Sequence, residues 1–135
     1  MGMNETRYQS FSEFWPFYVS EHSKPATRFL HLIGTTAGIA LLVYLIATGR
    51  WWLFFLGFVP GYGFAWLAHF LIEKNKPATF QYPLWSFMGD YKMIALMLTG
   101  RMNQELEKLC TKSTQVAGET LSKKTFSRKG AKKSL

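Results

Sequence analysis

The sequence predicts an all-α integral membrane protein, and three observations carry that prediction. Large apolar side chains are abundant: 48% of the 135 residues are hydrophobic and 17% aromatic. A soluble domain of this length has too little interior to hide so much aromatic surface. Two segments, residues 31–49 and 51–72, contain no Asp, Glu, Lys or Arg. At 1.5 Å per residue they span roughly 28 and 33 Å, close to the ~30 Å hydrocarbon core of a bilayer. The soluble alternative, two buried core helices, fits those two lengths less well.

About four helices are expected, in one helical membrane domain over residues 1–107. Residues 9–22 (QSFSEFWPFYVSEH) are aromatic on one side and polar on the other, which suits a short interfacial helix with Pro16 near its start. Residues 31–49 form the first membrane helix and residues 51–72 the second, kinked at G-F-V-P-G-Y-G, with Trp51 and Trp52 as an interface belt. Gly34-x-x-x-Gly38 marks close helix packing. Residues 83–100 are apolar but hold Asp90 and Lys92. Each would cost about 2.5–3.5 kcal/mol at a helix centre in lipid. This helix therefore lies at the interface, re-enters, or turns Asp90 toward a polar pocket. Beyond about residue 103 a frayed helix and then a disordered basic tail are expected.

The charge follows the same division. Residues 1–107 hold eight Lys and Arg against seven acidic residues, and residues 108–135 hold eight against Glu119 alone. A basic patch confined to a tail argues against nucleic acid as a partner and suits solubility or contact with anionic membrane lipids. The single cysteine, Cys110, allows no internal disulfide. No cleavable signal peptide is visible in the first 25 residues.

K-P-A-T occurs twice, at Lys24–Thr27 and Lys76–Thr79, each time with a Glu three residues upstream, Glu21 and Glu73. The chain crosses the membrane out and back between the copies, so both lie on one face. Each copy is expected to end one helix and begin another, with Pro in the first turn and Ser23 or Asn75 as cap. Duplication and convergent loop chemistry both account for the repeat. Arg7, Lys24, Arg28, Lys74 and Lys76 lie on that face and only Arg50 opposite, so both termini are expected to be cytoplasmic.

The same topology places His22, His31 and His69 at one membrane boundary. Ionisable groups there are costly and point to function. Three imidazoles with a carboxylate suit iron or zinc. A lone interfacial histidine is commonly an amphipathic filler, and the coincidence of all three, with Glu73 and Arg28, puts a metal site level with that reading. Glu73, at i+4 from His69, and Asp90, from the last helix, are the candidate catalytic carboxylates. No G-x-S-x-G elbow supports serine hydrolysis.

The stretches Y-V-S-E-H-S-K-P-A-T-R-F-L-H-L-I-G, W-L-A-H-F-L-I-E-K-N-K-P-A-T-F and P-L-W-S-F-M-G-D resemble a small membrane family formerly listed as a domain of unknown function. It is typified by the fungal endoplasmic-reticulum 2-hydroxy fatty acid dioxygenase of phytosphingosine breakdown. The resemblance covers about residues 9–102. It implies ferrous iron as cofactor, His22, His31 and His69 as its ligands, and a 2-hydroxy fatty acid and dioxygen as substrates. The expected product is a fatty acid one carbon shorter. Arg28 is the candidate for the substrate carboxylate, because a guanidinium pairs with it as a fork. The alternatives are a non-enzymatic lipid-binding or scaffold protein and a zinc-dependent lipid hydrolase. The resemblance implies the endoplasmic-reticulum membrane in a eukaryote; in a bacterium the inner membrane is expected. Lys132-Lys133-Ser134-Leu135 has the form of a dilysine retrieval signal.

Overall fold

The structure, a computed structural model, describes residues 7–131, with side chains as far as residue 124. The K-K-S-L end therefore lies outside the described residues. Every regular element among the described residues is helical. The chain divides into two compact units, Met1–Leu98 and Thr99–Leu135.

Helix α1 (Phe11–Glu21) starts at Ser10, whose hydroxyl accepts from the Glu13 amide, while the Glu13 carboxylate accepts from the Gln9 amide. This exchange satisfies amides that a helix start leaves orphaned. Phe14, Trp15, Tyr18 and Val19 recur at helical spacing and are buried. The aromatic side expected at a membrane interface is instead packed inside the protein, with Phe14 5.6 Å from Trp85 between ring centroids. Pro16 sits mid-helix rather than near the start, on the exposed side.

Helix α2 (Pro25–Ala47) begins six residues before the uncharged run. Pro25 occupies its first position, where no amide hydrogen is needed. Arg28 and His31 are buried within its first two turns, as the expected helix start at Pro25 requires.

The second membrane segment is one rod in three pieces: a 3₁₀ stretch (Trp51–Gly57), α3 (Phe58–Leu67) and a π-helical turn (Ala68–Glu73). Pro60 falls in the first turn of α3, where its missing N–H is harmless. Helices α2 and α3 run antiparallel along a glycine seam. A Cβ on Gly38 would come within 2.4 Å of the Gly57 carbonyl, and one on Gly34 within 2.8 Å of Phe64 Cβ. In lipid, apolar burial gives helices little reason to associate, so this close backbone approach supplies the packing. Both segments are long and apolar enough to cross a membrane, and only 22% and 17% of their central windows are buried. Val43, Trp51, Val59 and Leu71 face outward, as lipid-facing residues do and core residues of a soluble protein do not.

The second K-P-A-T forms only a 3₁₀ turn (Ala78–Phe80). Helix α4 (Pro83–Leu98) follows. It turns Asp90 inward to His31 and lays the Lys92 ammonium 4.0 Å above the Trp15 ring, so neither charge stands in apolar surroundings without a partner. Gly89 is required there, since a Cβ would meet the Tyr18 ring at 2.9 Å. In the second unit, the segment expected to fray is one helix, α5 (Met102–Ala131). Its sequence is polar all round, and good helix formers carry it without an apolar face.

Candidate metal centre

Three elements deliver the three histidines to one point. His22 is the residue that terminates α1, His31 lies two turns into α2, and His69 opens the π turn. Their ring centroids are 4.5 Å (His22–His31), 4.6 Å (His22–His69) and 5.4 Å (His31–His69) apart. One ring nitrogen from each lies within 4.8 Å of the other two. All three side chains are almost fully removed from solvent, at 1%, 4% and 2% exposure.

The partners fix the tautomers. His22 Nδ1 lies 2.7 Å from the Tyr18 carbonyl, His31 Nδ1 2.9 Å from Asp90 Oδ1, and His69 Nδ1 2.8 Å from Asn75 Oδ1. A carbonyl and a carboxylate can only accept. The Asn75 amide is oriented by its Nδ2, which donates to the Glu21 carbonyl at 3.1 Å and to Glu21 Oε2 at 2.8 Å, so its oxygen faces His69. Each Nδ1 therefore carries a proton, which leaves Nε2 as the nitrogen of each ring that a metal could take. His22 Nε2 and His31 Nε2 are 3.2 Å apart. Two lone pairs that close repel unless a cation or proton stands between them.

Further contacts set the rings. The Tyr18 hydroxyl donates to Asp90 Oδ1, the oxygen that holds His31, and the Tyr18 ring stacks on His22 at 4.1 Å. Burial, and then the Asp90 charge, push the Tyr18 phenol well above its ordinary pKa, so it remains a donor. Burial pushes the His22 imidazole well below its ordinary value, and the neighbouring His31 and His69 add to this against the opposing pull of the Tyr18 carbonyl. His22 is thus neutral at pH 7, the form that binds a metal.

The other expected site residues lie elsewhere. Asp90 sits behind His31. Glu73 does not reach His69: its carboxylate accepts from Ser23 Oγ at 3.0 Å and from the Lys24 amide at 2.8 Å. A π turn takes an extra residue per hydrogen-bonded loop, so i+4 no longer lies over i. Arg28 Nη1 donates to the carbonyls of His22 and Ser23, both at 2.8 Å, and so closes the end of α1. Nor is Ser23 a side-chain cap on α2.

Sequence reasoning missed Tyr18, Asn75 and Glu21 as supports. Asn75 is brought back to His69 by Lys74, whose backbone is left-handed at φ 60°, and the Asn75 amide also donates to the His69 carbonyl at 3.1 Å. One signal was present. Glu-x-Ser-Lys-Pro at Glu21 and Glu-x-Asn-Lys-Pro at Glu73 share a register. In the fold they clasp each other, Glu21 to Asn75 and Glu73 to Ser23.

The donor set fits a divalent transition metal. Three imidazoles whose Nδ1 atoms are each backed by an acceptor are the arrangement metal-bound histidines adopt. At bond lengths of about 2.0–2.1 Å two ligand nitrogens lie at most about 4.2 Å apart, so the His22–His31 pair at 3.2 Å can share one ion as it stands, and a small closure of the set from its 4.8 Å limit brings in the third ring.

A helical protein with two membrane-length helices and a buried three-histidine cluster at one end is the class these features define. The chain belongs to the family described as 2-hydroxy-palmitic acid dioxygenase Mpo1-like, whose model matches residues 8–102. That description names a dioxygenase acting on a 2-hydroxy fatty acid. No curated protein and no solved structure matches the chain.

Proposed function

We propose that this protein is an iron(II)-dependent membrane dioxygenase that converts 2-hydroxy fatty acids into fatty acids one carbon shorter. The observation that carries the reading is the buried cluster of His22, His31 and His69, each offering one ring nitrogen within 4.8 Å of the other two. The reaction balances without an added reductant: a 2-hydroxy acid and dioxygen give the shortened acid, carbon dioxide and water. The substrate loses four electrons, and dioxygen gains them. A bound ferrous ion supplies the contact through which dioxygen and a substrate chelating by carboxylate and hydroxyl can react.

The chain's own residues do the rest. His22, His31 and His69 hold the metal, which leaves positions for substrate and dioxygen. Asp90 and Tyr18 set the angle of His31 and strengthen it as a donor. Asn75, held by Glu21, does the same for His69. Arg28 is fully engaged with carbonyls through Nη1, so any role with the substrate carboxylate falls to its other nitrogens. The membrane boundary lets the acyl tail stay in an apolar environment while the polar head reaches the metal. Both K-P-A-T segments and both termini are on the cytoplasmic side in this reading, in the endoplasmic reticulum or a bacterial inner membrane.

Purification in detergent, anaerobic loading with Fe(II) and addition of 2-hydroxypalmitic acid with dioxygen test the reading. Pentadecanoic acid and carbon dioxide in equal amounts are expected. Stoichiometric zinc with no oxygen consumption would overturn it in favour of a hydrolase. Absence of any bound metal would overturn it in favour of a lipid-binding scaffold.

A further inference from the structure

A cavity of about 240 Å³ lies between α2, α3 and α4. Its position relative to the histidines gives it direction. Thr35 on its wall is one turn beyond His31, Ala65 is one turn before His69, and Asp90 touches His31 itself. The cavity therefore starts about one helical turn below the cluster and runs along the α2–α3 seam into the membrane-spanning region. Leu42 and Phe54 lie farthest along it. From His31 to Leu42 is roughly 16 Å along the helix. The lining is two-ended: Thr35, Thr79 and Asp90 are near the cluster, and Ile39, Leu42 and Phe54 are remote from it. Phe58, Phe87 and Tyr91 on its side are exposed, so the cavity opens laterally, where lipid would be.

We propose that this cavity receives the acyl chain of the 2-hydroxy acid, and that Gly61 determines the chain length it accepts. The inference rests on the dioxygenase reading for the identity of the head group, and on the cavity itself for the tail. A polar end against the ligand set and an apolar end inside the bilayer match a molecule with a chelating head and a hydrocarbon tail. A bilayer lipid chain shares the tail but has no head that fits beside three imidazoles. Gly61 stands apart from the other seam glycines. Gly38 and Gly34 have backbone or side-chain atoms within 3 Å of an added Cβ, whereas the nearest such neighbour of Gly61 is the Gly34 carbonyl at 4.0 Å. Gly61 lines the cavity, and an added Cβ there makes ordinary van der Waals contact only, where one at Gly34 or Gly38 would clash.

The experiment compares Gly61→Leu with Gly63→Leu, a control position where an added Cβ meets nothing within 4 Å. Turnover of 2-hydroxypalmitic acid relative to 2-hydroxyoctanoic acid should fall on the order of tenfold in Gly61→Leu, as expected for displacing about two methylenes, and should hold in Gly63→Leu. An unchanged ratio in Gly61→Leu overturns the assignment. A second readout does not need turnover. 2-Hydroxypalmitic acid carrying a diazirine at its methyl end should, on illumination, label Leu42, the cavity-lining residue at its far end that is not exposed on the outside, in the wild-type protein. Label on outward residues such as Val43 or Val59 overturns the proposal, as does equal cavity labelling by a phosphatidylcholine bearing the same group. Cavity labelling in a protein that oxidises no 2-hydroxy acid upholds the cavity and sinks the dioxygenase reading. Oxidation with label elsewhere does the reverse.

Discussion

The two Glu-x-[Ser/Asn]-Lys-Pro-Ala-Thr segments are nearly the same in sequence and unlike in structure. In the first, the residue after Glu21 is His22, with φ −118°, and Pro25 opens a 23-residue helix. In the second, the residue after Glu73 is Lys74, with φ 60°, and Pro77 leads into a single 3₁₀ turn. Their jobs are complementary. The first segment contributes a candidate ligand; the second contributes Asn75, which orients a ligand that precedes it. Each glutamate then reaches across to the other segment. The same letters can serve both because Glu and the small polar residue two positions on are used reciprocally, while the residue between them is free to differ.

Exchanging roles at the central position should have the largest effect. His22→Ala is expected to lower metal affinity by more than about 100-fold, beyond the loss seen when only a supporting residue is removed. Lys74→Ala should leave metal content unchanged. Metal analysis of both purified variants checks this, and equal metal loss would end the asymmetry.

The polar residue next in line should give a smaller version of the same contrast. Asn75→Ala frees the His69 ring and should weaken metal binding by about 10–100-fold. Ser23→Ala, which loses a hydroxyl bond to Glu73, should change metal affinity by less than about twofold while costing roughly 1 kcal/mol of stability. Titration with Fe(II) separates the two.

Glu73→Gln keeps the shape of the clasp but removes the charge that the Lys24 amide and Ser23 hydroxyl address. A loss of about 1 kcal/mol is expected, with metal binding intact. Denaturation in detergent measures it. If metal is lost instead, Glu73 acts on the site after all.

Lys74→Gly should have the smallest effect and the opposite sign. A left-handed backbone strains any residue with a Cβ, so glycine should add up to about 1 kcal/mol, less its own loss of chain entropy. Thermal unfolding checks it. A destabilised variant would mean that the lysine side chain supports the turn.

The long apolar segments were legible because lipid leaves composition no alternative to uncharged helices of one length. The edges were less so. Pro25 in the first turn of a helix was legible, but the uncharged run begins only at residue 31 because Arg28 interrupts it, and Arg28 is accommodated by carbonyls at the end of α1. The meeting of His22, His31 and His69 followed from topology alone. Their supports did not. The pairing of Glu73 with His69 assumed a helix of 3.6 residues per turn, and the rod changes to a π turn at Ala68. Asn75 reaches His69 only through a left-handed residue, and nothing in Lys74 announces that backbone. The aromatic side of α1 looks the same in sequence whether it meets headgroups or the rings of α4; Gly89, which admits Tyr18, is what distinguishes them.

The reciprocal clasp has a consequence for the order in which the molecule is made. Its partners are far apart in the chain, separated by 54 positions for Glu21 and Asn75 and by 50 for Ser23 and Glu73, and the Tyr18–Asp90 contact spans 72. During synthesis His22 and His31 emerge while neither His69 nor Asp90 exists to meet them. The first membrane helix can enter the bilayer on its own, since its backbone is satisfied internally. The site cannot close until the second helix has returned to the same face and α4 has followed. A nascent chain stopped before His69 holds only two of the three imidazoles. Completion of the hairpin is therefore the step at which the three histidines can first meet.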